Sequence, residues 1–164
     1  MSVVDEVLKA NEKFASHRKI HQLPMPPKRH LAIVTCMDAR IIPTKMMGPA
    51  EGDAHVIRNA GGRAKEALRS LVISQRLLGT NEVAVIHHTD CGMLTFTNDS
   101  LRKKVREELG ADSGDLDFLP FTDVKQSVAG DIAFLRASPL IPKSIPIRGL
   151  VYDVATGWLT EVGG

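Results

Sequence analysis

The sequence predicts an α/β fold: a mostly parallel central sheet of about four strands plus a C-terminal antiparallel hairpin strand, flanked by helices, with an N-terminal docking helix. Three observations predict it. Short apolar runs rich in β-branched residues recur at 31–35, 55–58 and 82–87, as strands covered on both faces require. An amphipathic stretch at 64–78 separates the second run from the third, and strands that alternate with helices favour parallel pairing. The 164 residues, 43% of them hydrophobic, suffice for one substantial core, so a single domain over 1–164 is expected.

In order along the chain, Val3, Val4, Val7, Leu8 and Phe14 fall near helical spacing, with Asp5, Glu6, Lys9 and Glu12 opposite them. Residues 1–20 therefore read as a helical arm. Three prolines in QLPMPPKR forbid regular helix and make 21–30 an extended linker, so the arm can pack at a distance, even on a partner subunit. Leu31 to Thr35 is the first strand, with Cys36 at its C-terminal end. His55 to Arg58 is the second and leads through Asn59-Ala60-Gly61-Gly62 into a helix from Ala64 to Leu78, closed by Gly79. Glu82 to His87 is the third strand and runs into His88-Thr89-Asp90-Cys91-Gly92. A charged helix (LRKKVREELG), a polar loop (GADSGDLD) and a helix from Asp123 to Ala137 follow. Gly149 to Val154 is the fourth strand, turning through Ala155-Thr156-Gly157 into Trp158 to Val162 as a hairpin.

Composition excludes several function classes. With 21 basic and 19 acidic residues the net charge is +2, too small a field to attract a nucleic-acid backbone or an anionic membrane. No stretch approaches the roughly 20 apolar residues of a membrane span, and MSVVDEVLKANEKF has charges where a signal peptide carries its apolar run. A cytoplasmic protein is expected, binding neither nucleic acid nor membrane. Two cysteines are too few for a disulfide scaffold and suit a reducing compartment, although a bridge between them is compatible with the count.

In open α/β sheets, ligands bind at the carboxyl ends of the strands, and Cys36 and Cys91 both fall at such ends. With His88 they offer two thiolates and an imidazole, ligands that suit zinc, and three protein ligands leave the fourth position open as catalytic sites do. The opposing reading makes the cysteines small buried apolar residues and His88 a core histidine; spacing alone balances the two. Asp38 and Arg40 shift that balance. They follow Cys36 at two and four residues, so an extended stretch points all three side chains the same way. Zn²⁺ with two thiolates and a neutral histidine sums to zero charge, so Arg40 can supply the positive charge that holds a hydroxide, while Asp38 orients Arg40 and accepts a hydrogen bond. The competing reading of that pair is a surface salt bridge. Asn59 to Gly62 can present backbone N–H groups to an anion, although a glycine pair before a helix is more often a tight turn. His87 should face away from His88 and be structural; His55 heads a strand where it could relay protons.

Taken together, Cys36-Met37-Asp38-Ala39-Arg40, HVIRNAGG from His55 to Gly62 and HHTDCGM from His87 to Met93 resemble the β-class carbonic anhydrases, especially the short prokaryotic and fungal forms. The resemblance runs from about residue 20 to the C-terminal hairpin. It implies hydration of CO₂ to bicarbonate and a proton by hydroxide on zinc, one Zn²⁺ per chain, held by Cys36, His88 and Cys91. An Asp38/Arg40 dyad is implied beside it: paired in an active open state, or with Asp38 ligating zinc in an inactive closed state. It also implies a homodimer or a larger assembly such as a homotetramer, with the N-terminal helix laid over the partner. Met93, Leu94, Phe96 and Val72 are expected to wall the substrate, and the Gly61 and Gly62 amides to steady its oxygen.

Three alternatives are weighed against CO₂ hydration. Carbonyl sulfide or carbon disulfide are linear molecules open to the same attack, giving H₂S and CO₂ from carbonyl sulfide; relatives of this family use them. A non-enzymatic α/β module would bind an anion or nucleotide at Asn59–Gly62 and need no metal. A permanently closed member would serve as a bicarbonate sensor.

Overall fold

The computed structural model describes residues 2–18 and 22–163; residues 1 and 19–21 of the expected arm and linker, His21 among them, and Gly164 lie outside the described residues. Helix α1 (Val3–His17) opens on a capping box, in which the Ser2 hydroxyl accepts from the Asp5 amide and the Asp5 carboxylate accepts from the Ser2 amide. It buries no residue, and Val3, Val4, Val7, Leu8 and Phe14 are 57 to 74% exposed. The proline-bearing residues 22–30 form no helix or strand, as their missing N–H groups and fixed φ dictate.

The sheet has the order β2-β1-β3-β4-β5, with β1 (Leu31–Cys36), β2 (Ala54–Asn59), β3 (Glu82–His88) and β4 (Ile147–Tyr152) parallel and β5 (Leu159–Glu161) antiparallel at the edge. The expected parallel core and antiparallel hairpin are therefore present. Helix α3 (Ala64–Leu78) packs on β2 and β1, α5 (Val124–Ala137) packs on β3 and β4, and the two helices pack on each other. Between them and the sheet lies the main core, with Val34, Leu71, Val85, Val128 and Leu135 wholly buried. Burial of each such side chain is worth roughly 1.5–3 kcal/mol. Gly149 on β4 makes this close approach possible, because a Cβ there would stand 2.4 Å from Ile132 and Val128.

Several boundaries differ from the sequence expectation, each for a local reason. β1 continues through Cys36. The charged helix, α4 (Asn98–Leu109), begins three residues early because Thr97 caps it, its hydroxyl accepting from the Ser100 amide while the Ser100 hydroxyl accepts from the Thr97 amide. Asp123 does not start α5 but caps it, accepting from the Gln126 amide. β4 starts at Ile147 and stops at Tyr152, because Asp153 turns the chain by accepting from the amides of Ala155 and Thr156. A short helix, α2 (Pro43–Met47), with Pro43 in its first turn and Gly48 at φ 80° ending it, is too brief to leave a periodic signal.

Candidate metal centre

The sheet order creates the site. From β1 the chain steps to β2 on one side, then crosses through α3 to β3 on the other, so the loops leaving β1 and β3 diverge and open a crevice between them. Cys36 ends β1, His88 ends β3 and Cys91 follows three residues later. All three are buried, and their donor atoms lie within 4.8 Å of one another. Both cysteines are free, so the disulfide that the count allowed is not formed.

The donor chemistry of this cluster fits a metal ion. His88 Nδ1 stands 2.8 Å from the Thr89 carbonyl, which places the proton on Nδ1 and leaves the lone pair on Nε2. That Nε2 is buried without a hydrogen-bond partner, a costly arrangement unless a further atom satisfies it. The sulfurs are tuned as well. Cys36 is lowered to about 4, chiefly by its hydrogen bond with Cys91 and against the upward push of burial, with help from His88 and the amides of Asp38 and Gly61. The same hydrogen bond, with burial, pushes Cys91 up. Burial alone would lower His88, but the Cys36 sulfur raises it above its ordinary value. The centre thus attracts positive charge, and a divalent cation binds such donors by displacing their protons.

Asp38 and Arg40 meet beside the cluster, but through a turn and not the extended stretch expected. The Arg40 amide donates to Asp38 Oδ1 at 2.9 Å, and its guanidinium grips the same carboxylate through Nε at 3.0 Å and Nη2 at 2.7 Å. This is the pairing that the family resemblance implies for the open state. First the Arg40 side chain, then its amide, hold the Asp38 carboxyl well below the usual carboxylate range, although burial opposes them. Asp38 Oδ2 is 3.8 Å from His88 Nε2, so the carboxylate overhangs the donors.

An apolar cavity of about 430 Å³ opens onto these groups, lined by residues that include Met37, Ala60, Gly61, Met93, Phe96, Leu101 and Phe118. Of the expected walls, Met93 and Phe96 line it; Leu94 packs in the cluster around the cysteines without lining it, and Val72 packs against the main core. Gly61 lines the cavity at φ 76°, its amide directed at the Cys36 sulfur. Gly62 lies behind it at φ 70°, where a Cβ would meet the backbone of Thr35 and Cys36 at 2.9 Å. His55 pairs with Ala32, four positions from the Cys36–Asn59 end of the ladder, and bonds Ser74 at 2.7 Å; it is at the wrong end of the sheet to relay protons here.

Several participants escaped the sequence reading. Arg58 donates to the carbonyls of Cys36 at 3.0 Å and Asp38 at 2.7 Å, fixing the turn that carries the dyad. Asp90 bonds the far side of Arg40. Leu101 and Phe118 are apolar residues in strongly polar stretches, a signal that could have marked them as covering something. Beneath the glycine turn, Arg63, His87 and Asp131 form a buried network: Asp131 accepts from Arg63 Nη2 at 2.9 Å and from the Ala64 amide at 2.8 Å. His87 Nε2 faces both Asp131 Oδ2 at 3.3 Å and the Gly62 carbonyl at 3.2 Å, and its ring stacks on Phe121, so His87 is structural as expected.

Comparison with known proteins agrees with this geometry. Residues 31–112 match the family model described as carbonic anhydrase. The chain is 46% identical over 165 residues to beta-carbonic anhydrase 1 of Mycobacterium tuberculosis, with 99% of each covered. The crystal structure of carbonic anhydrase from Streptococcus mutans superposes with a TM-score of 0.95 at 51% identity, covering 99% of both chains. A carbon disulfide hydrolase of Acidithiobacillus thiooxidans is 33% identical over 159 residues, covering 84% of this chain and 79% of its own. With two buried sulfurs and one unpartnered imidazole nitrogen converging at a strand switch point, and with these similarities along nearly its whole length, the chain belongs to the β-carbonic anhydrase family of enzymes.

Proposed function

We propose that this protein hydrates CO₂ to bicarbonate and a proton, using one Zn²⁺ per chain held by Cys36, His88 and Cys91. The observation that carries the proposal is the buried, unpartnered Nε2 of His88 facing two sulfurs, with Nδ1 already committed to Thr89. A Zn²⁺ held by these three residues would supply Lewis acidity, lowering the ionisation of water toward neutrality. The chain does the rest. Asp38, kept ionised by Arg40, accepts a hydrogen bond from the attacking water and so turns a lone pair toward the substrate. Arg58 holds the Cys36–Asp38 backbone that carries the acceptor. Met93, Phe96, Leu101 and Phe118 give a linear, nonpolar substrate a dry place to wait, and Gly61 allows its approach to the floor because no side chain stands there.

A second reading, hydrolysis of carbon disulfide or carbonyl sulfide, draws on the 33% identical hydrolase and on a cavity of about 430 Å³, ample for a larger cumulated molecule. Rates for the three substrates on one zinc-loaded sample separate the readings. We expect kcat/KM for CO₂ to exceed both others by at least about tenfold; a higher value for either sulfur compound overturns the assignment.

The apolar face of α1, with Val3, Val4, Val7, Leu8 and Phe14 exposed, supports a homodimer in which that face is covered by a second copy. Light scattering should report at least twice the mass of one chain, and a monomer at micromolar concentration would rule this out. Among the described residues no helix is long and apolar enough to cross a membrane. Thiols that must stay reduced to hold a metal suit a cytoplasmic setting.

A further inference from the structure

The guanidinium of Arg40 is held on two edges. One edge meets Asp38, through Nε and Nη2 at 3.0 and 2.7 Å. The other meets Asp90: Nη1 donates to Asp90 Oδ2 at 2.6 Å and Nη2 to the Asp90 carbonyl at 2.9 Å. A long side chain that is 48% exposed does not hold a bidentate geometry unaided, because water competes for each donor and the rotamer entropy favours release. The second edge changes this. Side-chain and backbone acceptors of one residue converge on the same planar group, and Asp90 does this in the left-handed conformation, at φ 53°, which Asp and Asn tolerate better than other residues with a side chain. The next residue is Cys91, so the turn that delivers the third donor also fixes Arg40.

We propose that Asp90 is a positioning residue for the dyad: by clamping the far edge of the Arg40 guanidinium it keeps the near edge square to Asp38 and so keeps that carboxylate in its acceptor position. The inference rests on the reading that Asp38 serves a zinc centre as an acceptor. Asp90 is neither one of the three donors nor part of the cavity lining. It acts through Arg40 alone. Without the clamp Arg40 relaxes into solvent and Asp38, already 3.8 Å from His88 Nε2, is free to turn onto the donors.

Two substitutions separate geometry from charge and strain. Asp90→Gly accepts φ 53° easily but removes the side-chain acceptor, whereas Asp90→Asn keeps the acceptor and the conformation and removes the charge. On zinc-loaded full-length protein, hydrogen exchange of the Arg40 Nε–H by NMR is read beside CO₂ hydration. We expect Asp90→Gly to speed exchange about tenfold and lower kcat/KM about tenfold, with Asp90→Asn within about threefold of the parent on both. In an Arg40→Gln background, Asp90→Gly should cost nothing further. The proposal is overturned by unchanged exchange in Asp90→Gly, by Asp90→Asn being equally impaired, or by a full effect persisting without Arg40. Failure of Asp90→Gly to fold overturns it too, since a side chain 79% exposed and acting only on Arg40 leaves the core untouched. If the parent itself does not hydrate CO₂, the function proposed above fails, while faster Arg40 exchange in Asp90→Gly still upholds the clamp.

Discussion

Replacing Cys91 by alanine should empty the centre: zinc content after dialysis should fall from about one per chain to near none, and CO₂ hydration should drop by more than a hundredfold. The size of the effect follows from the donor count. Three side chains converge here, and two alone do not retain a catalytic zinc against competing water. Losing a partner that only supports a ligand typically lowers metal affinity or activity by about 10- to 100-fold, so losing a ligand exceeds that. Alanine also removes the hydrogen bond that most lowers Cys36, so the remaining thiol becomes a poorer donor at neutral pH. Cys36→Ser should behave alike for a different reason. The serine hydroxyl does not ionise near neutrality, and the amides of Asp38 and Gly61 that serve a thiolate would then face a neutral oxygen. Elemental analysis and initial rates on the same preparations check both variants. Retention of zinc and rate in Cys91→Ala would end the reading of this cluster as a metal centre.

The donors were legible in the sequence because their placement depends on little more than strand ends. Cys36 and His88 close apolar runs that could only be buried strands, and parallel packing then aligns their carboxyl ends. Asp38 and Arg40 were legible as a pair, but the turn that joins them was not. Its hydrogen bond, from the Arg40 amide to the Asp38 carboxylate, is available to any Asp-x-Arg and leaves no periodic trace. Arg58 and Asp90 were hidden for another reason. Each is an ordinary surface residue by type and becomes specific only when the strand order brings it to the dyad. Leu101 and Phe118 reach the cavity across a tether of side-chain bonds, with Asn98 Nδ2 donating to Asp117 and Asn98 Oδ1 accepting from the Phe118 amide, which local pattern cannot reveal. Long-range polar contacts are the part of the site that one sequence conceals.

Asp131 is the strongest case, and Asp131→Ala should destabilise the protein by about 3–5 kcal/mol, the usual consequence of removing one partner from a buried ion pair. Helix α3 begins at Ala64, and Arg63 before it provides no side-chain cap; the Asp131 carboxylate, reaching over from α5, accepts from the Ala64 amide instead. The same carboxylate pairs with Arg63, whose side chain is only 14% exposed, and accepts from His87, which is wholly buried. Alanine leaves the Ala64 amide and the Nε and Nη2 donors of Arg63 without their acceptor, and leaves His87 Nε2 only the Gly62 carbonyl. Arg63 also donates to the Leu119 carbonyl at 2.8 Å, next to the Phe118 that lines the cavity, so the wall should loosen as the core weakens. The acid limb gives an independent check. Burial alone would raise Asp131, but the hydrogen bonds from His87, Ala64 and Arg63 outweigh it and leave the carboxyl below its ordinary 3.8. A depressed folded value means stabilisation present in full above the unfolded value and lost as pH falls below about 3.8 through the folded one. Asp131→Asn, which cannot ionise, lacks that contribution, so its deficit relative to the parent should shrink in that window, zinc's own contribution being common to both chains. Urea midpoints at fixed protein concentration and matched zinc, at pH 7 and down the acid limb, read both effects. A loss under about 1 kcal/mol in Asp131→Ala would mean that water, and not Asp131, satisfies Arg63 and the start of α3.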